Sequence, residues 1–210
     1  MNLSLSVVTA DDHPLFLKAL ANILKSIPQI GQIHQAADGQ QALDLVRVHK
    51  PKLAIFDLNM PFLSGLQVTE RLKYEHPDTR IIVLSMRQDL HTVRLAVQLG
   101  ALGYLPKEAE IEDIEEAVQH VLRGQVYFPA KLAQRMAVDE LKSAKPDTFT
   151  SAQWETLQLI GQQLPADQIA KHLNITPDQA EDLRSDVLKK LCCHKRSEEL
   201  MFAEQTGLLT

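Results

Sequence analysis

Reactive side chains stand at four places, in one order, within the first 107 residues: the carboxylate pair Asp11-Asp12, the single carboxylate Asp57, the hydroxyl of Ser85 and the amine of Lys107. Each alone has an ordinary explanation. An Asp pair after an apolar run is commonly a helix cap or a solvated turn, and a lone lysine is commonly a surface charge. Brought together, three carboxylates and an amine have a definite use. Carboxylate oxygens suit Mg²⁺, a hard cation that takes oxygen ligands and keeps several waters. The cation offsets repulsion among the acids and neutralises an incoming phosphoryl group, whose oxygens Lys107 and Ser85 can hold.

That chemistry needs elements that bring the five residues to one place. Short apolar runs precede each of them: Leu5 to Ala10, Leu53 to Phe56, Ile81 to Leu84 and Ala101 to Leu105, with a further run from Ile33 to Ala37. Stretches of helical periodicity lie between, such as Leu15, Ala19, Leu20, Ile23 and Leu24. Short strands alternating with amphipathic helices predict right-handed βαβ units, hence a five-stranded doubly wound parallel sheet. In such a sheet the carboxyl ends of the strands face one crevice. Asp11, Asp12, Asp57, Ser85 and Lys107 all fall there.

The expected organisation is a first unit over residues 1–125, a linker helix and flexible joint over 126–146, and a small all-α unit over 147–210. The 210 residues carry a net charge of −5, so the whole molecule has no basic signature for nucleic acid. Met1 to Ala10 has no positive n-region, and no apolar run approaches the ~18 residues of a membrane span. The expectation is a cytoplasmic protein, with Cys192 and Cys193 reduced: adjacent residues cannot form an ordinary crosslink. The eight histidines are scattered without ligand spacing and receive no metal role.

The elements Asp11-Asp12, Asp57-Leu58-Asn59-Met60-Pro61 with Gly65 beyond, Ser85, and Gly103-Tyr104-Leu105-Pro106-Lys107 together resemble the receiver family of two-component response regulators. The resemblance implies a flavodoxin-like fold and a phosphoacceptor nucleophile at Asp57, phosphorylated by a sensor histidine kinase. It implies direct ligation of Mg²⁺ by Asp12 and Asp57, ligation by Asp11 through water, and a backbone carbonyl from Asn59. It makes Ser85 and Tyr104 a switch pair, whose ring swings inward as the hydroxyl turns to the phosphoryl group. Self-phosphorylation with slow hydrolysis is the only chemistry implied, so no enzyme activity on a separate substrate is expected. Lys107 is followed by Glu108, where many receivers have proline.

Residues 149–200 resemble the helix-turn-helix output domain of the LuxR/NarL/FixJ branch, through Phe149-Thr150, Gln168-Ile169-Ala170, Ile175-Thr176 and Leu188-Lys189-Lys190-Leu191. Thr176-Pro177-Asp178-Gln179 reads as a strong start for the second motif helix: an N-cap Thr, Pro at the first position and a capping-box Gln. That branch implies DNA binding and a phosphorylation-dependent homodimer. The cations at backbone-contacting positions are Lys189, Lys190, Lys195 and Arg196, with Arg184 nearby. Opposing them, Asp178, Glu181, Asp182 and Asp186 share the outer face of the helix, and residues 147–210 hold six Lys and Arg against ten Asp and Glu. Carboxylates on a groove-facing surface oppose phosphate neutralisation. The alternative reading is therefore an output unit that has lost DNA binding and contacts another protein.

Overall fold

The computed structural model describes residues 4–143 and 149–193. The element order is β1 (Leu5–Ala10), α1 (Pro14–Ser26), β2 (Ile30–Ala36), α2 (Gly39–His49), β3 (Leu53–Asp57), α3 (Gly65–Glu75), β4 (Arg80–Ser85), α4 (Leu90–Leu99), β5 (Gly103–Pro106) and α5 (Ile111–Leu122). Four helices follow: α6 (Ala130–Ser143), α7 (Ser151–Gly161), α8 (Ala166–Leu173) and α9 (Pro177–Cys193). The five strands form one parallel sheet in the order β2-β1-β3-β4-β5. This is the doubly wound arrangement that the alternating pattern predicts.

Side chains alternate across the pleat, so the sheet feeds two cores. Val7, Leu53, Ile55, Ile82, Leu84 and Leu105 point to one face, against Leu20 and Leu24 of α1 and Ile114, Val118 and Val121 of α5. Val8, Ala54, Phe56, Ile81, Val83 and Tyr104 point to the other, against Leu43 and Val46 of α2, Val68 and Leu72 of α3, and Val93 and Ala96 of α4. This second core continues without a break through Phe128, Leu132 and Met136 into Leu157, Ile160, Ile169, Val187 and Leu191. Each fully buried Leu, Ile or Phe stabilises by roughly 1.5–3 kcal/mol, which favours the docked arrangement of the helical part.

Two features depart from a plain linker. Tyr127 bridges Gly103 at the free edge of β5, its N–H donating to Leu102 O at 2.8 Å, so the chain after α5 extends the sheet. Helix α6 then buries Leu132, Ala133, Met136 and Ala137 instead of standing clear of its neighbours. The joint expected before residue 147 lies outside the described residues.

The helix-turn-helix forms for local reasons. Asn174, at a φ of 55°, takes the left-handed position that ends α8. Thr176 Oγ1 accepts from Gln179 N, and Gln179 Oε1 accepts from Thr176 N, closing the capping box that starts α9.

Candidate functional site: an acidic pocket and a docked helix

The pocket is built where β1, β3, β4 and β5 end. Asp57 is the last residue of β3 and Asp11 follows β1; both are almost wholly buried. Lys107, one residue past β5, reaches back between them. Its Nζ lies 2.7 Å from Asp11 Oδ2 and 3.0 Å from Asp57 Oδ2. The backbone holds Lys107 in place, since its N–H donates to Ser85 O at 3.0 Å.

Burial pushes the Asp57 carboxyl above the ordinary carboxylate range; Lys107 opposes the shift and the charge of Asp11 adds to it. A hydrogen bond from the Asn59 backbone also favours the ionised form. Burial pulls the Lys107 ammonium down, but its hydrogen bonds to Asp11 and Asp57 outweigh that and hold it above the usual lysine value. The crevice thus carries a buried carboxylate whose ionised form is only partly compensated by the lysine. That is the electrostatic condition for a bound cation and for reaction with an electrophilic phosphorus.

Gly65 makes the β3–α3 connection tight. A Cβ there would fall 2.1 Å from Asp57 O, so only glycine lets α3 begin this close to the pocket. Asp12 lies at the mouth and is 35% exposed. Beside it stands a residue that sequence spacing had left without a role. His13 Nδ1 is 2.7 Å from Asp12 Oδ1 and 3.1 Å from Asp11 Oδ1. Asp11, Asp12, His13 and Asp57 each offer a ligand atom, all within 4.8 Å of one another. A divalent cation fits this donor set. The available signal was position alone, since His13 directly follows the acids at the same strand end.

Ser85 and Tyr104 are both fully buried and meet at one residue between them. Ser85 Oγ accepts from Arg87 N at 3.0 Å, and Tyr104 Oη donates to Arg87 O at 2.7 Å. The ring of Tyr104 already lies inside, and burial raises its hydroxyl pKa well above the usual value. Arg87 was not singled out by the sequence. Its backbone connects both switch candidates to Asp89, whose side chain caps α4 by accepting from Thr92 N at 2.9 Å.

In the helical part, the residues expected at a DNA groove are in other company. On α9, Asp182 Oδ1 accepts from Gln125 Nε2 at 2.9 Å and Ser185 Oγ accepts from Val126 N at 2.8 Å. Glu181 lies 3.9 Å from His120 and 3.8 Å from Arg184. Gln98 Nε2 of α4 donates to Cys192 O at 2.5 Å. Asp178 and Asp186 remain exposed. Among the cations, Lys189 is exposed, whereas Lys190 donates to Gln153 Oε1 at 3.1 Å and sits 5.0 Å over the Phe149 ring. Lys195 and Arg196 lie outside the described residues. A cavity of about 490 Å³, lined in part by Glu116, His120, Phe128, Ile160, Asp167 and Glu181, separates α5 from the output helices. No helix among the described residues is long and apolar enough to cross a membrane.

The family model for the response regulator receiver domain matches residues 7–119. The nitrate/nitrite response regulator protein NarL of Escherichia coli (strain K12) is 29% identical over 206 residues, covering 95% of each chain. The signal receiver domain of a NarL response regulator from Mycobacterium tuberculosis is 33% identical at a TM-score of 0.55, covering 58% of this chain and 98% of that one. The RcsB–DNA complex, at 22% identity and a TM-score of 0.61, covers 96% of this chain and 98% of RcsB, and shows a shared fold. With more than half of its length matched, the chain belongs to the response regulator receiver family, and it carries a C-terminal all-helical unit of the LuxR/NarL type.

Proposed function

We propose that this response regulator accepts a phosphoryl group on Asp57 from a sensor histidine kinase in the cytoplasm, and then regulates transcription through its C-terminal unit. The observation that carries the reading is the pair of contacts from one ammonium, Lys107, to the two buried carboxylates Asp11 and Asp57. Asp12 and Asp57, with Asn59 through its backbone carbonyl and Asp11 through water, would hold Mg²⁺. The bound cation supplies charge neutralisation for the phosphoryl oxygens.

In the transfer step a carboxylate oxygen of Asp57 forms the new O–P bond as the N–P bond to the donor histidine breaks. The bonding pair leaves with that imidazole. Lys107 exchanges its hold on Asp57 for a phosphoryl oxygen, and Ser85 turns its hydroxyl to another. Exposed Leu15, Phe62 and Met86 lie on segments at the pocket end of β1, β3 and β4, and give a protein phosphodonor an apolar surface to meet.

Release of Arg87 N by Ser85 frees the start of α4, the helix that holds α6 and α9 through Arg94 and Gln98. The output surface of α9 is then freed from Gln125 and Val126 for DNA, and two chains pair. Glu181 and Asp182 have an intramolecular use in this reading, which accounts for part of the acidic face on which the alternative of a protein-contact output rests, while Asp178 and Asp186 stay exposed. Residues 1–125 act as the receiver, 126–146 as the connection and 147–210 as the output unit.

The test is phosphorylation of the untagged protein by acetyl phosphate with Mg²⁺, read by intact mass. One phosphoryl adduct in the wild type and none in Asp57→Ala is the expected result. An adduct that persists in Asp57→Ala overturns the assignment.

A further inference from the structure

We infer that His13 is a nitrogen ligand of the pocket cation, so that the site holds transition-series divalent ions such as Mn²⁺ more tightly than Mg²⁺. The inference rests on the reading of the pocket as a divalent-cation site and adds a donor that an oxygen-only site lacks.

The geometry has three parts. His13 Nδ1 lies on the same side of the acids as their free oxygens, 2.7 Å from Asp12 Oδ1 and 3.1 Å from Asp11 Oδ1. Lys107 takes the other oxygen of Asp11, leaving the Oδ1 side to His13. The backbone fixes the approach, since His13 N donates to Asp11 Oδ1 at 2.8 Å and Pro14 starts α1 immediately after. The ring itself is 70% exposed, so core packing does not account for where it points. A cation entering among the four groups must either expel the imidazole or be bound by it. With the ring proton on Nε2, the Nδ1 lone pair faces the ion. Imidazole nitrogen favours transition-series ions, whereas Mg²⁺ gains little from it and keeps water there instead.

The experiment uses the untagged full-length protein, titrated calorimetrically with Mn²⁺ and with Mg²⁺, and pulsed EPR of the Mn²⁺ form. A ¹⁴N coupling in the wild type, lost when Mg²⁺ displaces Mn²⁺ and absent from both His13→Ala and His13→Gln, is the expected signature. Both variants should bind Mn²⁺ about ten-fold more weakly while their Mg²⁺ affinity stays within about two-fold. Tight Mn²⁺ binding without a nitrogen coupling, or a coupling that survives in both variants, overturns the role of His13 and leaves the cation pocket standing. A protein that binds neither ion overturns both.

Discussion

Arg94 on α4 is buried to 2% exposure and places Nη2 2.5 Å from Oδ2 of Asp139 on α6. This ion pair joins α4, which follows the Ser85–Asp89 connection, to the helix that leads into the output unit. One turn further along α4, Gln98 ties the same helix to the end of α9. In the proposed mechanism, movement at the start of α4 reaches both through these two contacts.

Asp139→Asn weakens that tie while leaving the shape of the side chain unchanged. Asp139 is 42% exposed, so solvent screening limits the cost to roughly 1 kcal/mol. The unphosphorylated variant is expected to bind DNA about five-fold more tightly than the wild type, as the docked state loses that advantage. Anisotropy on the unphosphorylated proteins checks this. Equal affinities would mean that the pair does not hold the output unit closed.

Asp57 sets a pH dependence whose sign follows from its burial. A folded-state pKa raised above the ordinary value of 3.8 means that the protonated form suits the fold better. The contribution to stability is fully present below that ordinary value and is lost as pH rises through the raised one. At neutral pH ionised Asp57 is thus a net cost, even with Lys107 beside it. Asp57→Asn should unfold at higher urea than the wild type at pH 7, with the gap closing as the pH falls toward the carboxylate range. A variant less stable than the wild type at pH 7 would contradict this.

Gly65→Ala puts a methyl group 2.1 Å from Asp57 O and 3.2 Å from Leu58 Cα, backbone atoms that cannot rotate aside. The expected loss is about 1–3 kcal/mol, together with slower phosphorylation. Gly161→Ala is the control, because its new methyl meets side-chain tips alone, Leu141 at 3.3 Å and Val138 at 3.9 Å. Urea midpoints of the two variants should differ clearly, and similar values would argue against the tight β3–α3 connection.

The pocket was legible because its chemistry demands particular residue types at strand ends, and strand ends can be read from apolar runs. Asp57 and Lys107 follow such runs directly, so knowing the strands placed the side chains. The capping box of Thr176 and Gln179 was legible for a similar reason, being local in sequence. The long-range contacts were not. Arg94 and Gln98 read as ordinary helix residues until α6 and α9 are laid against them. Val126 to Phe128 carries no sign that Tyr127 will extend the sheet edge. Of the four acids on the outer face of α9, Glu181 and Asp182 look solvent-facing in sequence because their partners His120 and Gln125 lie more than fifty residues away. His13 escaped because a single histidine beside two acids has no spacing to read.

The most direct test of the account is binding of phosphorylated and unphosphorylated protein to genomic DNA fragments across a salt series, followed by anisotropy. Release of α9 predicts a clear gain in affinity on phosphorylation. It also predicts a log–log salt slope near −3, as about three or four cations such as Lys189 neutralise phosphates. The gain should vanish in Asp57→Ala. Equal affinity in both states of a protein shown by mass to be phosphorylated would contradict the coupling of Asp57 to α9.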